Sequence, residues 1–251
     1  MTSSSRDFLK QLRQEIEQHP AVRHDFLRTL SQGTFPRERY RVFVEHHYPL
    51  VCVFTSYMEL LLLRAPDNQA RLWLAKVLVD EYGGGSDGKD HPALYEAFVQ
   101  ATGAWGSGAV PEPALAYIET HQTLVRERPF LEGLGAIGPG HEWAIPAMFG
   151  ALLPGLERAG FGASEIDYFT LHLLQDCNHG AWLEEALVPY CGDGASQALV
   201  RRGALASLEA RARFWSSLQE RFFADAPGAD RAASPSGPPL SALVARCRAL
   251  Q

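Results

Sequence analysis

Several features are scarce or missing in this chain, and each absence narrows what it can be. No segment alternates apolar and polar residues as a half-buried strand does, and nearly every segment carries a helical period, so the fold is expected to be all-α. The four cysteines, Cys52, Cys177, Cys191 and Cys247, form no C-x-x-C pair. Reduced, packed thiols in a cytoplasmic protein are therefore expected. No basic cluster is interleaved with aromatics and the net charge is −6, so the electrostatic footprint of a nucleic-acid binder is missing. Apolar runs such as that from Leu60 to Leu63 are far too short to span a bilayer. The opening Met-Thr-Ser-Ser-Ser-Arg-Asp lacks the charged-then-apolar order of a secretory signal.

What is present is enough apolar material, 46% of 251 residues, for a sizeable core in one large or two small domains. Helical patterns run over about 7–18, 19–32, 36–63, 67–82, 93–103, 112–126, 140–158, from 164 onward, and 195–223. In the third, Phe43, His47, Leu50, Phe54, Tyr57, Met58 and Leu61 make an apolar stripe at helical spacing. Residues 1–223 read as one helical domain. From 224 to 240 the composition shifts to Ala, Gly, Ser, Pro and Asp, which is linker chemistry, and 241–251 is a short amphipathic segment suited to docking on its own domain or on a second subunit.

The most informative stretch is Tyr168-Phe-Thr-Leu-His172-Leu-Leu-Gln-Asp176-Cys-Asn-His179. Its two imidazoles and one carboxylate stand at i, i+4 and i+7, one face of a helix, among Phe169, Leu171, Leu173, Leu174 and Trp182. A carboxylate taken from water into apolar surroundings needs a cation or hydrogen bonds. Either a divalent metal is bound there or Asp176 bridges the two histidines as a satisfied polar cluster. Cys177 points about 100° away around the helix and reads as packing. Upstream, an apolar run ends at Glu81, and Gly83, Gly84 and Gly85 let the chain fold back so that His91, just before Pro92, can return beside Glu81. By itself this is an ordinary helix end and helix start. In Gly140-His141-Glu142-Trp143, Glu142 stands among apolar residues near the start of another helical stretch, where a charge is usually paired or ligated.

Taken together, Glu81, His91, Glu142, His172, Asp176 and His179 offer three histidines and three carboxylates from separate helical regions. That is the donor count for two metal ions, and carboxylates that can bridge, with imidazoles, suit iron or manganese in a helix bundle. A single zinc would strand two acids.

The E…G…HP segment, the mid-chain Glu before a Pro-containing helix, and H-x3-D-x2-H resemble the haem-oxygenase-like di-iron oxidases and oxygenases, over most of residues 10–220. The resemblance implies an up-and-down bundle of about seven to eight helices, related to haem oxygenase and to the TenA and PqqC proteins. It implies that Glu81, His91, Glu142, His172, Asp176 and His179 are the six ligands of two Fe(II) ions, with manganese as a substitute, and that O2 is a co-substrate. It also implies oxidation of a small molecule such as an amino acid or fatty acid, by N-oxygenation, desaturation or oxidative C–C cleavage. Tyr168 matches a family tyrosine one turn before the first histidine and would lie near the metals as a hydrogen-bond donor or a site of oxidation; a core aromatic is the alternative. One family member makes p-aminobenzoate by consuming its own tyrosine with help from a lysine. The resemblance aligns those positions with Leu27 and Leu152, which cannot supply that chemistry.

The expected partners are a small-molecule substrate, with a second copy of the chain and an external electron donor as further candidates, and neither nucleic acid nor membrane. Tyr48, Phe54, Tyr57 and Trp143 are candidate pocket residues. Of Glu45-His46-His47, adjacent positions on a helix diverge, and His47 is favoured as a buried histidine beside the site. Three other readings remain at this point: a metal-free TenA- or PqqC-like enzyme, a non-catalytic interaction protein using its C-terminal segment, and a haem protein ligated by His24 or His47, in which the acidic cluster would sit badly against a porphyrin.

Overall fold

The computed structural model describes residues 2–104, 108–224 and 237–248. The side chains of Asp176 and Cys177, and residues 225–236 of the expected linker, lie outside the described residues. Among the described residues there are eleven α-helices: α1 (Thr2–Gln18), α2 (Asp25–Gln32), α3 (Tyr40–Arg64), α4 (Asn68–Glu81), α5 (His91–Ala101), α6 (Glu112–Arg126), α7 (Phe130–Ile137), α8 (Ile145–Arg158), α9 (Asp167–Leu187), α10 (Gly194–Phe223) and α11 (Leu240–Arg248). No β-sheet accompanies them; the one β-bridge pairs Ala109 with Pro239.

Helix starts follow local chemistry. Asp67, Asp90 and Asp193 accept hydrogen bonds from first-turn amides of α4, α5 and α10. The helix count exceeds the seven to eight expected, and α7 is the clearest reason. Its Gly133 and Gly135 lower helix propensity, but they are contact points: a Cβ on Gly135 would stand 2.2 Å from the carbonyl oxygen of Val200, and one on Gly203 only 1.8 Å from that of Glu132. Backbone therefore touches backbone along the α7–α10 seam, and packing overrides propensity.

α3 occupies the middle, in contact with α4, α5, α6, α7, α10 and α11. Its burial consequently extends well beyond the single stripe read from the sequence, with Val44, Pro49, Val53, Ser56 and Leu60 also buried. α11 lays Leu240, Leu243 and Cys247 against the body of the protein and packs on α3; Val110 N–H donates to the carbonyl of Pro238 at 2.9 Å. No helix among the described residues is long and apolar enough to cross a membrane.

Two departures from regular helix prepare the site. After α4, Gly83 (φ 98°) and Gly88 (φ 79°) adopt the left-handed backbone that favours glycine, and a clip of turns brings the chain back to His91. Between α7 and α8, Gly138–Glu142 is π-helical, with Trp143 N–H reaching the carbonyl of Gly138 at 3.2 Å. Glu142 was expected inside a continuous helix beginning at Gly140; it stands instead in this widened turn, a feature common at functional sites.

Candidate metal centre

Glu81 from the end of α4, His91 from the start of α5, Glu142 from the π-helical turn, and His172 and His179 from α9 converge, all buried. They form two groups that share Glu81. In Glu81, His91 and His172, and again in Glu81, Glu142 and His179, one ligand-type atom per residue lies within 4.8 Å of the others. The side chain of Asp176, the sixth expected ligand, lies outside the described residues.

The hydrogen bonds of the three rings share a pattern. His172 donates from Nδ1 to the carbonyl of Tyr168 at 2.6 Å. The Nε2 of His91 lies 3.3 Å from Gln175 Oε1, and that of His179 lies 3.3 Å from Asp80 Oδ2. In each ring one nitrogen is thus engaged by an acceptor. For His91 and His179 the other nitrogen faces carboxylates: His91 Nδ1 is 2.8 Å from Glu81 Oε2, and His179 Nδ1 is 3.5 Å from Glu142 Oε2 and 3.8 Å from Glu81 Oε1. Metal-binding histidines are held in this way, with the outer N–H on a carbonyl or carboxylate and the inner lone pair aimed at the ion.

The 2.8 Å contact supports the same reading. It is off the line of a hydrogen bond, so His91 Nδ1 has no hydrogen-bond partner despite its burial. Two donors each about 2.1 Å from a common ion at right angles would sit about 3 Å apart without pointing at each other. The donor set of imidazoles and carboxylates fits iron.

In the metal-free protein, protons take the place of cations. Burial lowers the His91 and His179 pKa values, but the carboxylates outweigh it. Glu81 raises His91 above its usual range, and Glu142, Glu81 and Asp80 push His179 up to about 9. Burial raises Glu142, against the opposing pull of His179. His172 is held well below the ordinary histidine value, first by burial and then by the charge of His91.

A raised histidine contributes stability that is fully present below its unfolded pKa of 6.5 and is lost as pH climbs toward 9. Glu142, raised from 4.5, acts in the same sense from that value upward. The lowered histidines, His19, His24, His46, His47, His121, His141 and His172, act only as pH falls below 6.5. Calorimetry in chelator should therefore show the melting temperature of the metal-free protein falling between pH 6.5 and 8.5. A flat or rising profile would contradict the arrangement.

A cavity of about 30 Å³, room for one or two waters, adjoins both groups. Its wall includes Glu81, His91, Glu142 and His172 together with His47, Phe54, Tyr168, His141 and Arg211. The Tyr168 ring centroid is 4.1 Å from that of His172 and 6.1 Å, edge-on, from that of His91. His47 is sandwiched in aromatics, near-parallel to Phe43, Tyr95 and Trp215. Of the four candidate pocket aromatics, Phe54 alone is on this wall. Tyr48 faces the groove beneath α11, Tyr57 stacks on His121, and Trp143 donates to the carbonyl of Gly180 at 2.9 Å. Sequence reasoning passed over Asp80, Gln175, His141 and Arg211. A position next to Glu81 and one between His172 and His179 were the available signals for the first two.

The sequence profile of the iron-containing redox enzymes matches residues 41–212, which is most of the chain and includes every candidate ligand. The chain belongs to that family and is an iron-dependent oxidoreductase. Curated relatives are named 4-aminobenzoate synthase. The one from Nitrosomonas europaea is 24% identical over 234 residues, covering 87% of this chain and 93% of the relative. The one from Chlamydia muridarum is 28% identical over 190 residues, covering 73% and 78%. Among solved structures, a CADD-like protein of unknown function from Nostoc punctiforme superposes with a TM-score of 0.75 at 19% identity, covering 88% of this chain and 99% of that one. A TenA homologue from Pseudomonas syringae pv. tomato gives 0.70 at 16% identity, covering 84% and 92%. The fold is thus of the haem-oxygenase and TenA kind.

Proposed function

We propose that the protein is a non-haem di-iron oxidase or oxygenase, in which Glu81, His91, Glu142, His172, Asp176 and His179 hold two Fe(II) ions and O2 oxidises a small substrate. The observation that carries this reading is the double engagement of Glu81. Its Oε2 meets His91 and its Oε1 faces His179, so a single carboxylate serves two groups of donors, as a bridge between two ions does. Asp176, one turn after His172, completes the set by resemblance.

Bound iron supplies the electrons for reducing O2. The chain supplies the rest. Tyr168 O, Gln175 and Asp80 fix the three rings, Leu50, Val51, Ile145 and Phe149 on the cavity wall keep bulk water away, and Tyr168 stands against two of the proposed ligands. An external electron donor would be required wherever the substrate does not provide all the electrons.

The names of the relatives make 4-aminobenzoate the first product to assay. Leu27 and Leu152 are fully buried and apolar, so a route that consumes a tyrosine of the chain would have to draw on another residue. Anaerobic titration with Fe(II) tests the core of the proposal. About two irons per chain are expected, with a transient visible absorption after O2 is admitted. Saturation at one iron, or none, would overturn the di-iron assignment.

A further inference from the structure

His141 stands beside Glu142 in the π-helical turn, and both line the small cavity, although consecutive residues of a regular helix point about 100° apart. Its ring stacks on Phe54 with 4.6 Å between centroids. Nδ1 lies 3.1 Å from Tyr117 Oη and 3.3 Å from Arg211 Nη2. Nε2 has no hydrogen-bond partner among the described residues, yet it is not sealed off as the unpaired ring nitrogens of His46 and His47 are. Since Tyr117 and Arg211 cover the Nδ1 side, the accessible edge of the ring is the one on the cavity.

Arg211 decides which nitrogen carries the proton. It is 2% exposed, and no carboxylate pairs with it within the described residues. A buried charge without a counter-ion is strongly unfavourable, and the rings of Tyr117, Phe214 and Trp215 around it would accept an apolar side chain at no such cost. Its Nη2 also donates to Tyr117 Oη at 2.7 Å. The Tyr117 hydroxyl can donate or accept, so alone it would permit either tautomer of His141. A guanidinium only donates and keeps its charge throughout the physiological range. Nδ1 must therefore accept, and the ring proton is held on Nε2. Turning the ring over would set a carbon against both groups.

The cavity of about 30 Å³ admits a guest of two or three heavy atoms. Oxygen gains negative charge as it is reduced, and an N–H fixed in advance toward the developing charge stabilises it. We propose that His141 Nε2–H is a hydrogen-bond donor to O2 held in the cavity beside Glu81 and Glu142, with Arg211 and Tyr117 as positioning residues that fix its tautomer. The bond is donated and no proton need leave the ring. The inference rests on the proposed di-iron reading for the presence of O2, but the tautomer can be measured without iron.

Nitrogen-15 NMR of the metal-free protein reads the tautomer directly, with the His141 signals identified by their loss in His141→Gln. Neutral His141 protonated on Nε2 is expected in wild type, and a proton on Nδ1 overturns the proposal. Arg211→Met should give a mixture of the two tautomers; a single unchanged form would overturn the role of Arg211. Azide, an anion of three atoms, is then titrated into the oxidised, iron-loaded protein and followed by its visible absorption, with iron counted in each sample. His141→Phe keeps a ring against Phe54 but has no N–H, and should bind azide at least about tenfold more weakly, the strength of a hydrogen bond to a charged group. His141→Gln, whose amide can donate, should stay within about threefold of wild type. Equal affinity in wild type and His141→Phe, or an equal loss in both variants, overturns the proposal. Should His141→Phe not fold, His141→Leu takes its place, and the wild-type tautomer still stands as a test. Failure of wild type to bind iron would sink the di-iron reading alone, because the tautomer is read in the metal-free protein.

Discussion

Glu81→Ala should remove both irons at once, taking the metal content from about two per chain to a trace. His172→Ala should remove about one, because His172 belongs to only one of the two groups that share Glu81. Each variant should keep its helix content, since α4 ends at Glu81 and α9 is long and packed by many other side chains. Losing Glu81 also relieves like-charge repulsion with Glu142, which partly offsets the loss of bound metal. Metal analysis after anaerobic loading, with circular dichroism on the same samples, distinguishes the cases. Equal losses in the two variants would mean that Glu81 does not bridge.

The second large effect is on stability. In Gly203→Ala the new methyl would lie 1.8 Å from the carbonyl oxygen of Glu132 and 3.0 Å from the nitrogen of Ala136. Neither is the end of a flexible side chain, so α7 and α10 must separate and the core between them must open. A loss of about 3 kcal/mol or more is expected, seen as a fall in melting temperature of roughly 6–12 °C for a chain of this size. Gly150→Ala is the control. It is exposed on α8 with nothing within 4 Å of its added Cβ, and the lower entropy of the unfolded chain should stabilise the protein by about 0.5–1 kcal/mol. The same substitution thus has opposite signs at two helical glycines, which isolates the close approach of the backbones as the cause.

Much of the candidate site could be read from the chain because its members are charged or polar residues among apolar neighbours. His172 and His179 share one helical face, and Glu142 sits where a lone charge would be costly. Glu81 and His91 were harder, since each looks like an ordinary helix end; the turn at Gly83 and Gly88 brings them together. Asp80, Gln175 and Arg211 look like any polar residue of an exposed helix face. Their partners come from other helices, and sequence spacing says nothing about pairs so far apart. α7 was missed for a related reason, as its glycines weaken a local helix signal and find their justification only against α10.

Cysteine is sparse in this chain and no disulfide joins the described residues, yet the site would do the work of a cross-link. In the proposed site, an ion shared by Glu81 and Glu142 would tie positions about 60 residues apart, and one shared by His91 and His172 would tie positions about 80 apart, loops whose closure is entropically expensive in an unfolded chain. Iron would therefore fasten the bundle at its middle as well as carry its chemistry, and a cell short of iron would hold this protein in a looser, more readily degraded form.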